Sequence, residues 1–247
     1  MVKVIFLGTN GWFDTQAGNT ICTLIETPRE YIILDAGNGI HGADRYIKKK
    51  KPVYLFLSHF HLDHIVGLHV LPKFRFTNPV GIYGPKGTRK YLGALLRRPY
   101  TAPFEHLPMK AELFEIERDR PAAFGVEFAP LVHSTMCYGY RFAVGGRVIA
   151  YCTDTGPCPG LISLGRGSDL LICESSYLPG QKPDSWPHLR PEDAAAAAVE
   201  CGTKRLALTH FDASRYPDLA SRGEAQKVAR RIFKPTIAAR DGMVLEL

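Results

Sequence analysis

Most of what this 247-residue chain lacks narrows its class. No apolar run reaches the roughly 18 residues that suggest a membrane span. The six cysteines (Cys22, Cys137, Cys152, Cys158, Cys173, Cys201) form no CxxC pair, and several lie in apolar strand-like runs where thiols behave as small hydrophobes. That argues against a disulfide framework and for a reducing, cytoplasmic setting. The N-terminal run 1–8 passes straight into Thr9-Asn10-Gly11 with no small-residue cleavage site, so it reads as a strand and turn, not a signal peptide. Gly8-Thr9-Asn10-Gly11-Trp12 has no lysine and no helix after it, which excludes a phosphate-cradling loop and leaves a turn. There is no short-period repeat and no low-complexity linker. We expect one domain over residues 1–247.

What is present is ordinary for a soluble globular enzyme: 45% apolar and 22% charged residues. The net charge of +7 favours anionic substrates without identifying them. Lys48-Lys49-Lys50-Lys51 is the one dense basic run. It reads as a solvated loop ahead of a strand, with a nucleic-acid contact as the other reading.

The unusual stretch is Ser58-His59-Phe60-His61-Leu62-Asp63-His64. It follows the apolar β-rich run 53–57, so three imidazoles and a carboxylate gather where a strand ends. Imidazole nitrogens and carboxylate oxygens are the usual ligands of zinc and related divalent ions. His59 and His61 share one face of extended backbone, while Asp63 and His64 point elsewhere, which suits a second ion beside the first. The bland reading is a polar loop carrying surface histidines.

His59-x-His61-x-Asp63-His64 resembles the signature of the metallo-β-lactamase superfamily. The resemblance implies a four-layer αββα sandwich, in the α/β class, with a one- or two-metal hydrolytic site. It also implies a later lone His, then Asp or Cys, then His, each at a strand end. His133 ends the strand-like run 124–133, Asp154 follows the hairpin 137–144/147–152, and His210 ends the run 205–209. By resemblance, His59, His61 and His133 hold one metal, Asp63, His64 and His210 the other, and Asp154 bridges them. Histidine-rich ligation fits zinc; manganese or iron also suits the oxygen-containing site. Asp35, in Asp35-Ala36-Gly37, matches a turn whose Asp supports the site from behind the ligands; a plain turn is the equal alternative.

The bridging position carries Asp154, where the antibiotic-hydrolysing branch has Cys. Cys152 lies two residues earlier and is expected on the same strand face, one rung away. Asp at this position points to branches acting on phosphodiesters, thioesters or lactones. The segment 186–195, Trp186-Pro187-His188-Leu189-Arg190-Pro191-Glu192-Asp193-Ala194-Ala195, resembles one in ribonuclease Z and its small-molecule phosphodiesterase relatives, with His188 as the catalytic His and Glu174 as its acidic partner. The helix after His188 would lower its pKa and the carboxylate would raise it. A capping or surface histidine is the alternative. The resemblance also gives Asp63 the nucleophile's proton.

The interval from His133 to Asp154 holds only the hairpin, with no room for the arm with which ribonuclease Z grips tRNA. The expected activity is therefore a dinuclear metal-dependent phosphodiesterase. Its expected substrates are small cyclic or diester phosphates or RNA ends, attacked by a metal-bridging hydroxide with His188 as general acid. A lactone or thioester hydrolase on the same metals is the alternative, and a non-catalytic binding module is a third. No membrane partner is expected. Relatives of this kind are often homodimers. Helices are expected at 87–98, 191–201 and 224–233, and further strands at 2–7, 21–26, 31–35, 79–85, 170–173 and 244–247. His41, His69 and His106 match nothing in the pattern.

Overall fold

The computed structural model describes residues 1–182 and 185–247. Its strands form two large sheets. The first runs, edge to edge, Val244–Glu246, Lys3–Gly8, Cys22–Glu26, Tyr31–Leu34, Val53–Phe56, Val80–Gly84, Ala111–Glu115. The second runs Thr236–Ala238, Leu206–Thr209, Leu170–Glu174, Arg147–Cys152, Tyr138–Val144, Gly125–Pro130.

Each sheet is buried on both faces, so its central strands are apolar throughout instead of alternating. In the strand Tyr31–Leu34, Tyr31 and Ile33 join an outer core with Ile40, Leu68, Leu71 and Leu92. Ile32 and Leu34 join the core between the sheets. In Leu170–Glu174, Leu170 and Ile172 face the other sheet. Leu171 and Cys173 face Ala194, Ala198, Ala225 and Ala229 of the helices Pro191–Cys201 and Leu219–Ile232. The layers are helices, sheet, sheet, helices: the metallo-β-lactamase fold. No helix is long and apolar enough to cross a membrane, among the described residues.

Parallel pairing decides where the functional residues fall. Tyr31–Leu34 pairs parallel with Val53–Phe56. Arg147–Cys152, Leu170–Glu174 and Leu206–Thr209 are likewise parallel. Parallel strands end on the same side, and the crevice beyond their carboxyl ends is where such sheets place ligands. Tyr140 OH donates to Leu57 O (2.7 Å) and Tyr138 N to Ser58 O (2.9 Å), which joins the two sheets at that rim.

Element boundaries follow local chemistry. Pro191–Cys201 starts at Pro191, Asp193 Oδ2 accepts the Arg190 amide at 3.0 Å, and Gly202 ends it at φ 62°. The hairpin turns through Gly145 and Gly146, both with positive φ. The last helix begins at Leu219, five residues before the expected 224, because Asp218 accepts the Ser221 amide as its N-cap. The helix Pro159–Gly165, the strands Ala111–Glu115 and Thr236–Ala238, and the 3₁₀ segment Asn38–Arg45 were not anticipated. One expectation is corrected. The strand stops at Cys152, and Asp154 turns away at φ 51°, so the two do not share a strand face. Cys152 packs in the helix-facing core with Leu161 and Leu164. All six cysteines are free thiols, five of them buried.

Candidate metal centre

The structure brings all nine expected site residues together at this rim. His59 and His61 follow the strand Val53–Phe56, His61 in extended backbone, and a four-residue helix, Leu62–Ile65, then carries Asp63 and His64. The His59 and His61 rings lie 4.5 Å apart, and His133 Nε2 sits 3.2 Å from His61 Nδ1. The His133 loop is pinned by Gly156 N donating to Val132 O at 2.9 Å. On the other side His64 Nε2 lies 2.8 Å from Asp154 Oδ2 and 3.1 Å from His210 Nε2. His210 Nε2 is 3.2 Å from Asp154 Oδ2 and 3.4 Å from Asp63 Oδ2.

Four sets of side chains bring ligand atoms close enough to hold an ion: His59/His61/His133, His59/His64/Asp154, Asp63/His64/His210 and His133/Asp154/His188. The donor set suits a divalent cation. His59 Nε2 is buried with no hydrogen-bond partner, as is His133 Nδ1. A buried imidazole nitrogen left unpaired costs free energy that a ligated ion would recover.

The two ends of the cluster differ in charge. Burial, with the His64 ring beside it, pushes the His59 pKa well down. Burial also lowers His61 and brings His133 down to about 4. These three are neutral, lone-pair-bearing imidazoles, the form that ligates metal. At the other end burial opposes charge, but Asp154, Asp35 and Asp63 outweigh it and raise His64. Asp154 and Asp63 likewise raise His210. Burial resists ionisation of Asp154 and Asp63 too, yet His64 and His210 hold both carboxyls well below the usual range. This end draws in positive charge.

Behind the cluster, Asp35 is fully buried and accepts Ser58 N (2.7 Å), Ser58 Oγ and Tyr151 OH (2.7 Å). Its Oδ2 lies 2.9 Å from His64 Nδ1, the contact that the support reading of Asp35 expects, and its positive φ also makes it a turn residue. Ser58 Oγ also reaches His59 Nδ1 at 2.9 Å. Ser176 Oγ lies 3.2 Å from His210 Nδ1, and the Trp12 amide donates to Asp63 Oδ2 at 2.8 Å. Sequence reasoning assigned no role to Ser58, Tyr151, Ser176 or the Trp12 amide; only the position of Ser58 beside His59 could have signalled one.

Backbone strain marks the same place. Every non-glycine residue with positive φ among the described residues is here: Trp12 (75°), Asp35 (56°), Asp154 (51°) and His210 (50°). Such backbone is costly for residues with a Cβ and persists where surrounding contacts hold it. Gly11 is required for the packing: a Cβ there would lie 2.5 Å from the His210 ring. The strand pair Asn10–Gly11/Phe211–Asp212 carries that contact. Arg222, buried, braces it. Its Nη1 donates to Thr9 Oγ1 (2.9 Å), its Nη2 to Asn10 Oδ1, and its guanidinium lies 4.9 Å over the Phe211 ring.

His188 stands at the mouth of the cluster. Its Nδ1 is 2.9 and 3.1 Å from the two Glu174 oxygens and 3.9 Å from Asp154 Oδ1. Glu174, wholly buried, also accepts the amides of Thr155 (2.5 Å) and Leu189 (3.2 Å). Burial disfavours charge on His188, but Glu174 more than offsets it and pushes the pKa up to about 9. His41 and His69 bond to Asn38 O and Val66 O, and His106 is exposed; none belongs to the cluster. Lys51 is half-buried, with its Nζ 3.2 Å from Glu26 Oε1, while Lys48, Lys49 and Lys50 are exposed.

A family model described as a beta-lactamase superfamily domain matches residues 30–211. An uncharacterized protein of Mycobacterium leprae is 30% identical, over 96% of this chain and 86% of its own length. Ribonuclease Z of Methanosarcina acetivorans is 27% identical over a 311-residue alignment covering all of this chain and 98% of that enzyme. At least 64 positions of that alignment (311 less 247) therefore face no residue of this chain. A metallo-β-lactamase fold protein of Bacillus subtilis superposes with a TM-score of 0.81 at 23% identity, over 100% of this chain and 99% of that one.

Proposed function

The chain belongs to the β-lactamase superfamily, and on that premise we propose that it is a dinuclear metal-dependent phosphodiesterase. The single observation that carries this reading is His188, held by both Glu174 oxygens within 3.9 Å of Asp154. Hydrolysis of a thioester, whose thiolate departs readily, does not need such a group. Expelling an alkoxide from a phosphodiester does.

In this reading residues 1–247 form one hydrolase domain. His59, His61 and His133 would hold one cation and Asp63, His64 and His210 the other, with Asp154 as a further donor. Zinc fits the histidine-rich donors; manganese or iron also suits the carboxylate end. When bound, two such ions supply Lewis-acid charge for a developing oxyanion and lower the pKa of a water.

The remaining work falls to the chain. Asp35 and Ser58 fix the His64 and His59 rings. The Trp12 amide holds Asp63, which in this reading would take the proton of the attacking water. Glu174 holds His188 Nδ1, which leaves Nε2 to give its proton to the departing alkoxide. The chain's net charge of +7 favours an anionic substrate. The absence of an arm-length insertion between His133 and Asp154 favours small cyclic or diester phosphates, or short RNA ends, over whole tRNA. Six free thiols suit a reducing compartment such as the cytoplasm.

The test is turnover by metal-loaded and chelated protein on an aryl phosphodiester, a cyclic nucleotide and a short RNA, against a lactone and a thioester. Metal-dependent diester cleavage is expected. Acyl cleavage alone would overturn the phosphodiesterase reading.

A further inference from the structure

The chain has only two tryptophans, and both stand exposed at this centre. Trp12 is 68% exposed beside the carboxylate end, its amide on Asp63. Trp186 is 52% exposed beside the histidine end, its ring 6.4 Å from His133. One tryptophan therefore sits at each end of the cluster, Trp12 through its backbone amide and Trp186 through its ring.

Neither position is casual. Trp12 has φ 75°, a conformation in which a bulky side chain is an outlier. Relaxing that backbone would break its bond to Asp63. Its indole is backed edge-on by Phe13, with centroids 5.3 Å apart at 65°. Trp186 precedes Pro187, which packs against Gly156 two residues beyond Asp154; a Cβ on Gly156 would lie 3.2 Å from the Pro187 Cβ. Leu62, Val132 and Met136 add exposed apolar side chains next to Asp63 and near His133. The rim beside the His/Asp cluster is thus apolar and aromatic. Large exposed aromatics placed at a site pay off when a ligand covers them.

We propose that Trp12 and Trp186 form a stacking subsite for the flat base of a nucleoside phosphodiester. This rests on the phosphodiesterase reading and adds to it the group next to the phosphate. Stacking on an indole accepts any base, because every base offers a π-face, so the subsite selects nucleosides without reading sequence. The same chemistry is offered by a free nucleotide or by the end of an RNA strand.

The experiment compares kcat/KM on a cyclic mononucleotide, a short oligoribonucleotide and a ringless dialkyl phosphodiester, for wild type, Trp12→Leu and Trp186→Leu. The ratio of nucleoside to ringless diester should fall about 5- to 100-fold in each variant, mainly through KM. A fall with the mononucleotide alone assigns a free nucleotide; a fall with the oligomer as well extends the subsite to strand ends. An equal loss on all three substrates, or none, overturns the proposal. A second measurement needs no turnover and no variant. Fluorescence of the metal-loaded wild type should be quenched by a nucleoside monophosphate and not by ribose 5-phosphate. Diester cleavage without such quenching sinks the subsite and spares the phosphodiesterase. Quenching without diester cleavage does the reverse.

Discussion

His133 and His210 stand at opposite ends of one cluster and carry protons on opposite terms. Burial brings His133 down to about 4, whereas Asp154 and Asp63 overcome burial to raise His210. The histidine end is a set of neutral donors with lone pairs ready. The carboxylate end is an excess of buried negative charge that protons fill when cations do not. A metal satisfies both, but for different reasons: unpaired nitrogens at one end, uncompensated carboxylates at the other. The difference teaches that the two positions should bind metal with different sensitivity to pH and to substitution.

The strongest way to break that comparison is to remove what the ends share. Asp154→Ala should lower metal affinity at both positions by more than the 10–100-fold typical of partners behind a ligand, and nearly abolish turnover. Metal content by mass spectrometry after dialysis checks it. Full retention of two ions would show that Asp154 is no ligand.

Next in size is His188→Ala, which leaves both ends intact. It should cut turnover of dialkyl diesters about 10²–10⁴-fold and activated aryl diesters far less. Equal losses would remove the general-acid role.

Asp35→Asn sharpens the comparison, because Asp35 bonds His64 directly and reaches the other end only through Ser58 Oγ on His59. Metal titration followed by calorimetry should show the carboxylate-end affinity reduced about 10–100-fold and the histidine-end affinity nearly kept. Parallel loss at both would mean that the ends are not independent.

The smallest effect is on the pH dependence of the metal-free protein. A His raised to about 9 in the fold contributes stability that is full below its ordinary pKa and is lost as pH rises through about 9. His188 follows that course. His133, depressed to about 4, works the other way: it costs stability as pH falls from its ordinary pKa through about 4. NMR titration of the imidazoles should show both, and Glu174→Gln should bring His188 down. A His188 pKa unmoved by that change would detach it from Glu174.

The ligand-bearing stretch was legible because its chemistry is local: His59 to His64 span six positions, and His133, Asp154, Glu174 and His210 each end an apolar run or follow a hairpin, whereas His188 was legible only through the resemblance. The network behind it was legible only in Asp35, and there through the resemblance: Asp35 lies 29 residues from His64 and 116 from Tyr151, and spacing along the chain says nothing about such a meeting. The helix Pro159–Gly165 hid behind two glycines and formed because Leu161 and Leu164 pack in a core with Cys201. Gly223 masked the first turns of the last helix. Cys152 misled because alternation was carried past the residue at which the strand stops.

The contact between Gly11 and the His210 ring joins residues 199 positions apart (210 less 11), and it sets an order of events during synthesis. His59, His61 and His133 all leave the ribosome before His210 exists. A nascent chain therefore holds the proposed histidine-end donors while the carboxylate end still lacks one, and the strand Asn10–Gly11 waits for its partner. A cation at the carboxylate end therefore requires a chain whose start has met its later part.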